Sequence, residues 1–173
     1  MSAGATYARS LSKKMDGGIT VKYLFEKIHI NDASGIAVDF GLRYKLTEKN
    51  LYIAATVQNL GTMGELENES TKLPALARLG MMYSIPKNIG PANILLALDL
   101  VKPLEENLRF NTGGEFTFWK QLALRAGYMG GYESRSVTFG LGIRKSTFRF
   151  DYSLTPFKNG LETGHHFSVN IGL

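Results

Sequence analysis

From Gly113 to Leu154 the chain reads GGEFTFWKQLALRAGYMGGYESRSVTFGLGIRKSTFRFDYSL, four apolar–polar alternations in succession, separated by short turn signals. Phe116 and Phe118, then Leu122, Leu124, Ala126 and Tyr128, then Val137, Phe139, Leu141 and Ile143, then Phe148, Phe150, Tyr152 and Leu154 hold one set of alternate positions. Glu115, Thr117, Arg125, Gly127, Thr138, Gly140, Gly142, Arg144, Arg149, Asp151 and Ser153 hold the other. Successive side chains of a strand point to opposite faces, so this period of two predicts strands whose faces meet different media.

The same pattern extends upstream. Ala5 to Leu11 reads as a weaker strand closed by KKMDGG, and Ile19 to Ile30 alternates before a turn at NDAS. Gly35 to Leu46 sets Ile36, Val38, Phe40, Leu42, Tyr44 and Leu46 against Ala37, Asp39, Gly41, Arg43 and Lys45. TEKN turns into Leu51 to Gln58, and Gly61 to Pro74 is the longest loop, carrying Glu65, Glu67 and Glu69. Ala75 to Ile85, Ile94 to Val101, Leu108 to Trp119 and a terminal HHFSVNIGL complete eleven strand candidates, with no convincing helix. An all-β chain of evenly spaced strands folds as a sandwich or a barrel.

Composition narrows the choice. With 44% hydrophobic residues the chain is too apolar for disorder. It has no cysteine, hence no disulfide framework and no thiolate metal site. The net charge of +5 is spread along the strands and not massed in a basic block, which argues against nucleic acid as a partner. No stretch approaches the roughly 18 consecutive apolar residues of a membrane-spanning helix. The opening MSAGATYARSLSKKMDGG has no signal-peptide profile, and the expectation is a fragment that lacks its N-terminal part.

One face mixes glycines (Gly41, Gly80, Gly127, Gly140, Gly142) with ions, while the other is rich in Phe, Tyr and Leu. Small residues beside paired charges suit a crowded polar interior, and the aromatic and aliphatic face suits lipid. Backbone polar groups in hydrocarbon must all be paired, which helices and closed sheets achieve. The expected fold is therefore an all-β, antiparallel, up-and-down transmembrane β-barrel. Counting back from a periplasmic C-terminus places RKST, WKQ, PKNIGPAN, TEKN and KKMDGG inside. PFKNGLETG, GGYESR, KPLEEN, GTMGELENESTKLP and NDAS fall outside, so the longest loop is external, as in such barrels. Tyr44, Trp119, Tyr128, Tyr132 and Phe157 lie near strand ends, where interfacial aromatics gather.

These segments resemble the PorV/PorQ family, within the FadL-like outer-membrane barrels. The likeness is carried in order by GGITVKYLFEKI (Gly17 to Ile28), VQNLG (Val57 to Gly61), LPALARLGMMYSI (Leu73 to Ile85) and LALDLVKP (Leu96 to Pro103). GGEFTF (Gly113 to Phe118), RAGY (Arg125 to Tyr128), GLGI (Gly140 to Ile143) and DYSL (Asp151 to Leu154) continue it. The resemblance implies a bacterial outer-membrane barrel of about fourteen strands with a plug and a signal peptide, of which residues 1–173 would supply about eleven strands as a single domain. It implies a role in type IX secretion or surface attachment, with outer-membrane lipid and cargo bearing a C-terminal signal domain as partners. FadL-like relatives instead transport hydrophobic small molecules, and a soluble sandwich or lipocalin-like binder is the reading from a different class. The FadL path uses a plug and early strands, so no family site residue carries over.

No catalytic, cofactor or metal motif is present in the sequence. His165 and His166 are adjacent on a strand and so point to opposite faces, and His29 stands apart. The polar face offers a candidate charge network of Asp39, Arg43, Arg78, Asp99, Arg109, Glu115, Arg125, Arg144, Arg149 and Asp151, in which carboxylates and guanidiniums neutralise one another. Glu65, Glu67 and Glu69 form a candidate external partner loop.

Overall fold

The computed structural model describes residues 1–28, 31–46, 50–66, 69, 70, 72–86, 90–158 and 160–172. Its elements are β1 (Ser2–Ser12), β2 (Met15–Ile28), β3 (Asn31–Leu46), β4 (Leu51–Met63), β5 (Glu65–Leu66), β6 (Glu69–Ser70) and β7 (Leu76–Ser84). β8 (Ala92–Pro103), β9 (Arg109–Phe118), β10 (Leu122–Gly130), β11 (Val137–Lys145), β12 (Phe148–Thr155) and β13 (Gly164–Ile171) follow. Eleven of them form one antiparallel, up-and-down sheet in the order β1-β2-β3-β4-β7-β8-β9-β10-β11-β12-β13, and β5 pairs with β6 in a separate two-stranded sheet. Among the described residues there is no helix.

Contacts group the chain into two units, Met1–Leu46 with Tyr52–Leu79 and Val101–Leu108, and Thr47–Leu51 with Gly80–Leu100 and Arg109–Leu173. In the first unit, the register of β1 to β3 aligns Thr6, Thr20 and Asp39 on one face and Tyr7, Ile19 and Phe40 on the other. In the second, Phe116, Leu124, Leu141, Tyr152 and Phe167 form a row across β9 to β13, and Phe118, Leu122, Ile143, Phe150 and Val169 form the next apolar row. Between these rows, on the opposite face, run Thr117, Ala123, Gly142, Asp151 and Ser168.

Burial inverts the arrangement of a protein packed around an apolar core. Phe40, Phe139, Phe150 and Val169 are 49%, 50%, 41% and 48% exposed. Among the described residues the buried hydrophobic ones are Ala33, Ala37, Ala92, Ile94, Val101 and Ala123, and Ala37 and Ala123 lie on the polar face. Large side chains normally fill interiors because apolar area leaves water favourably, by about 25 cal/mol per Å². Here four of these six covered residues are alanines, while Phe40, Phe139 and Phe150 stay exposed.

Three turn expectations change. NDAS belongs to β3, with Asn31, Asp32, Ala33 and Ser34 opposite Ile28, Lys27, Glu26 and Phe25. Cross-strand pairing, including the opposite charges of Lys27 and Asp32, overrides the turn preference of Asn and Asp. KKMDGG shortens to Lys13 and Lys14, since Met15, Asp16, Gly17 and Gly18 already pair with β1. The long loop yields Gly61 to Met63 to β4 and holds the β5–β6 hairpin. Gly61 permits this extension, because a Cβ there would overlap the Ile36 carbonyl oxygen of β3. Tight turns stand where WKQ and RKST predict them, with Trp119, Lys120 and Ser146 at φ of 48°, 61° and 55°.

Candidate functional site

The second unit carries the denser polar cluster. Register sets Glu115 of β9 opposite Arg125 of β10, and Arg125 opposite Gly140 of β11. Asp151 of β12 faces Gly142 of β11. Arg125 reaches both carboxylates: its Nε donates to Glu115 Oε2 at 2.5 Å and its Nη1 to Asp151 Oδ1 at 2.7 Å. The second contact crosses an intervening strand, and the glycines of β11 make room for it. A Cβ at Gly142 would stand 2.7 Å from Asp151 Oδ1 and 2.9 Å from Arg125 Nη2, and one at Gly140 would stand 3.2 Å from Arg125 Cβ.

The cluster is completed on both flanks. Thr117 Oγ1 donates to Glu115 Oε1 at 2.8 Å, and Arg149 Nε lies 2.6 Å from Asp151 Oδ2. Each carboxylate is thus engaged through both oxygens. Charge-assisted pairs of this kind are short and geometrically selective, and half-burial strengthens them relative to exposed pairs. Their chemistry is that of a brace across four strands.

The first unit has its own smaller cluster. Lys22 Nζ lies 2.7 Å from Asp39 Oδ2 and donates to Asn59 Oδ1 at 2.8 Å. The Asn59 N–H donates to Asp39 Oδ1 at 2.8 Å, and its side-chain amide donates to the Pro74 carbonyl at 3.0 Å. Asn59 takes φ of 59°, a left-handed conformation that asparagine tolerates better than most residues. Arg43 belongs to neither cluster. It is exposed and forks onto Asp16, which also accepts from Ser10 Oγ at 2.7 Å.

Of the ten residues expected to share one network, Glu115, Arg125, Arg149 and Asp151 come together, while Asp39 and Arg43 sit in separate groups. Arg78, Asp99 and Arg144 have no ion pair among the described residues, and Arg78 and Arg144 are exposed. Arg109 stacks on Tyr132 at 4.9 Å from the ring centre, and Arg135 packs against the same ring at 5.0 Å. Tyr132 is therefore engaged by two guanidiniums. A cavity of about 460 Å³ lies beside it, lined by Asp99, Asn111, Glu115, Arg125, Tyr132 and Arg135. Glu67 and the side chains of Glu65 and Glu69 lie outside the described residues, as does His29. His165 Nδ1 pairs with Tyr152 Oη at 2.7 Å, and His166 falls opposite Ser153 on the other face.

Lys22, Asn59 and Asp16 were not among the expected site residues. Alternation marks Lys22 as lying on the polar face, but its partner depends on register across three strands, which the pattern of one strand does not specify.

No family model matches the chain, and no curated protein matches it.

Proposed function

We propose that this sheet is the wall of a transmembrane β-barrel of the bacterial outer membrane, with its apolar rows against lipid and the Glu115–Arg125–Asp151 and Lys22–Asp39 clusters facing the lumen. The observation that carries the reading is the exposure of whole apolar rows: Phe116, Leu124, Leu141, Tyr152 and Phe167 are 45%, 46%, 38%, 40% and 70% exposed on five successive strands. Contiguous apolar surface of this kind marks an interaction site, and lipid accepts a whole sheet face. From β8 to β13, short connections (119–121 and 146–147) alternate with longer ones (104–108, 131–136 and 156–163), which supports the same reading for that part of the sheet. A soluble sandwich or lipocalin-like binder would bury these rows.

Within that class the PorV/PorQ resemblance favours a non-enzymatic role in type IX secretion or surface attachment of cargo, with hydrophobic small-molecule transport as the alternative. Fractionation of cells carrying the tagged protein tests the barrel. It is expected in the outer membrane after a carbonate wash, with a heat-dependent shift on denaturing gels. Recovery in the soluble fraction without detergent would overturn the reading. Deleting the gene then separates the roles: loss of surface proteins sharing a C-terminal domain supports secretion, and loss of fatty-acid uptake alone supports transport.

A further inference from the structure

The polar face of the second unit holds more positive charge than its carboxylates neutralise. Arg144 of β11 stands directly opposite Arg149 of β12 in the register, an arrangement that is destabilising for like charges on one face. Arg149 is held by Asp151, and Asp151 is shared with Arg125, which also takes Glu115. Arg144 and Lys120 have no ion pair among the described residues. All four cations line one cavity of about 260 Å³, together with Thr117 and Gln121 as neutral hydrogen-bonding groups. Four cations against two carboxylates leave two positive charges around a small, polar, open space.

We propose that this cavity binds a doubly charged oxyanion, inorganic phosphate or a phosphomonoester. Arg144 offers a whole guanidinium fork of the kind that matches phosphate oxygens, Arg125 and Arg149 keep N–H groups beyond those engaged by Glu115 and Asp151, and Lys120 adds a point charge beside the β9–β10 turn. A bound dianion would neutralise the two surplus charges and relieve the Arg144–Arg149 repulsion. The reading needs the geometry of this face alone and stands apart from the membrane assignment.

The test is a phosphate titration of the purified full chain, in detergent if it requires detergent, followed by calorimetry and by thermal stability at ionic strength matched with chloride. Phosphate is expected to bind and to raise the melting temperature where chloride does not. Arg144→Gln is expected to weaken binding about tenfold or more, the usual effect of losing a charged hydrogen bond. Arg144→Glu creates a cross-strand pair with Arg149, so it is expected to raise stability without phosphate and to abolish the phosphate response. A purely structural Arg144 would show the opposite, lower stability and an unchanged response. Competition separates the sources: displacement by glucose 6-phosphate but not by monomeric short-chain phosphatidic acid assigns a soluble monoester, and the reverse assigns a lipid phosphomonoester headgroup and overturns the soluble source. Equal behaviour in phosphate and chloride, or equal affinity in wild type and Arg144→Gln, would overturn the site.

Discussion

Gly142 does for this fold what a larger residue could not. It leaves the strand between Arg125 and Asp151 low enough for a guanidinium to pass over it. Gly142→Ala puts a methyl group within 2.7 Å of Asp151 Oδ1 and is expected to destabilise by about 1–3 kcal/mol, because the displaced charges lose their partners. Gly140→Ala has its tightest contact with Arg125 Cβ, at 3.2 Å, and meets the Tyr152 carbonyl oxygen at an ordinary 3.7 Å, so it is expected to cost less. Denaturant unfolding of both variants checks the order, and equal stabilities would remove Arg125 from the role of brace. Arg125→Gln with Glu115→Gln forms a cycle in which the double variant is expected to be more stable than the two single losses sum to, by about 0.5–3 kcal/mol. Additive losses would mean the two side chains do not interact.

Strands were legible because each carries its own alternation. Gly35 to Leu46 and Val137 to Ile143 need no neighbour to be recognised. Ends were less legible: NDAS reads locally as a turn, and only its pairing with Phe25 to Ile28 makes it strand. The site followed the same division. Glu115, Arg125, Arg149 and Asp151 announce themselves by parity, whereas Asn59 has no local signal, since its role rests on a left-handed backbone and on Asp39 in another strand. The face assignment itself makes an expectation about substitution. Leu141→Arg, in the middle of the apolar row, is expected to cost about 2–4 kcal/mol in a bilayer, as charge on the lipid face of a barrel does. The same change on a water-exposed sheet face would cost roughly 0.5 kcal/mol or less. Reversible unfolding from phospholipid vesicles distinguishes these outcomes.

The sheet order ends at β1 and β13, and both strands are exposed along almost their whole length. Unprotected strand edges pair with whatever strand is available. The 173-residue chain by itself is therefore expected to self-associate in a concentration-dependent way, which light scattering in mild detergent checks. A monodisperse monomer over a wide concentration range would contradict it. The claim on which everything else depends concerns what the two faces touch, and the absence of native cysteine makes it directly measurable. Single cysteines at Leu124, Leu141 and Phe150, and at Thr138, Ser153 and Ser168, would be treated with a water-soluble maleimide in intact outer membranes. The first three are expected to stay unlabelled until the membrane is dissolved and the protein unfolded, and the second three to react in place. Labelling of Leu124→Cys, Leu141→Cys and Phe150→Cys at the rate of the second group would contradict a lipid-facing apolar sheet.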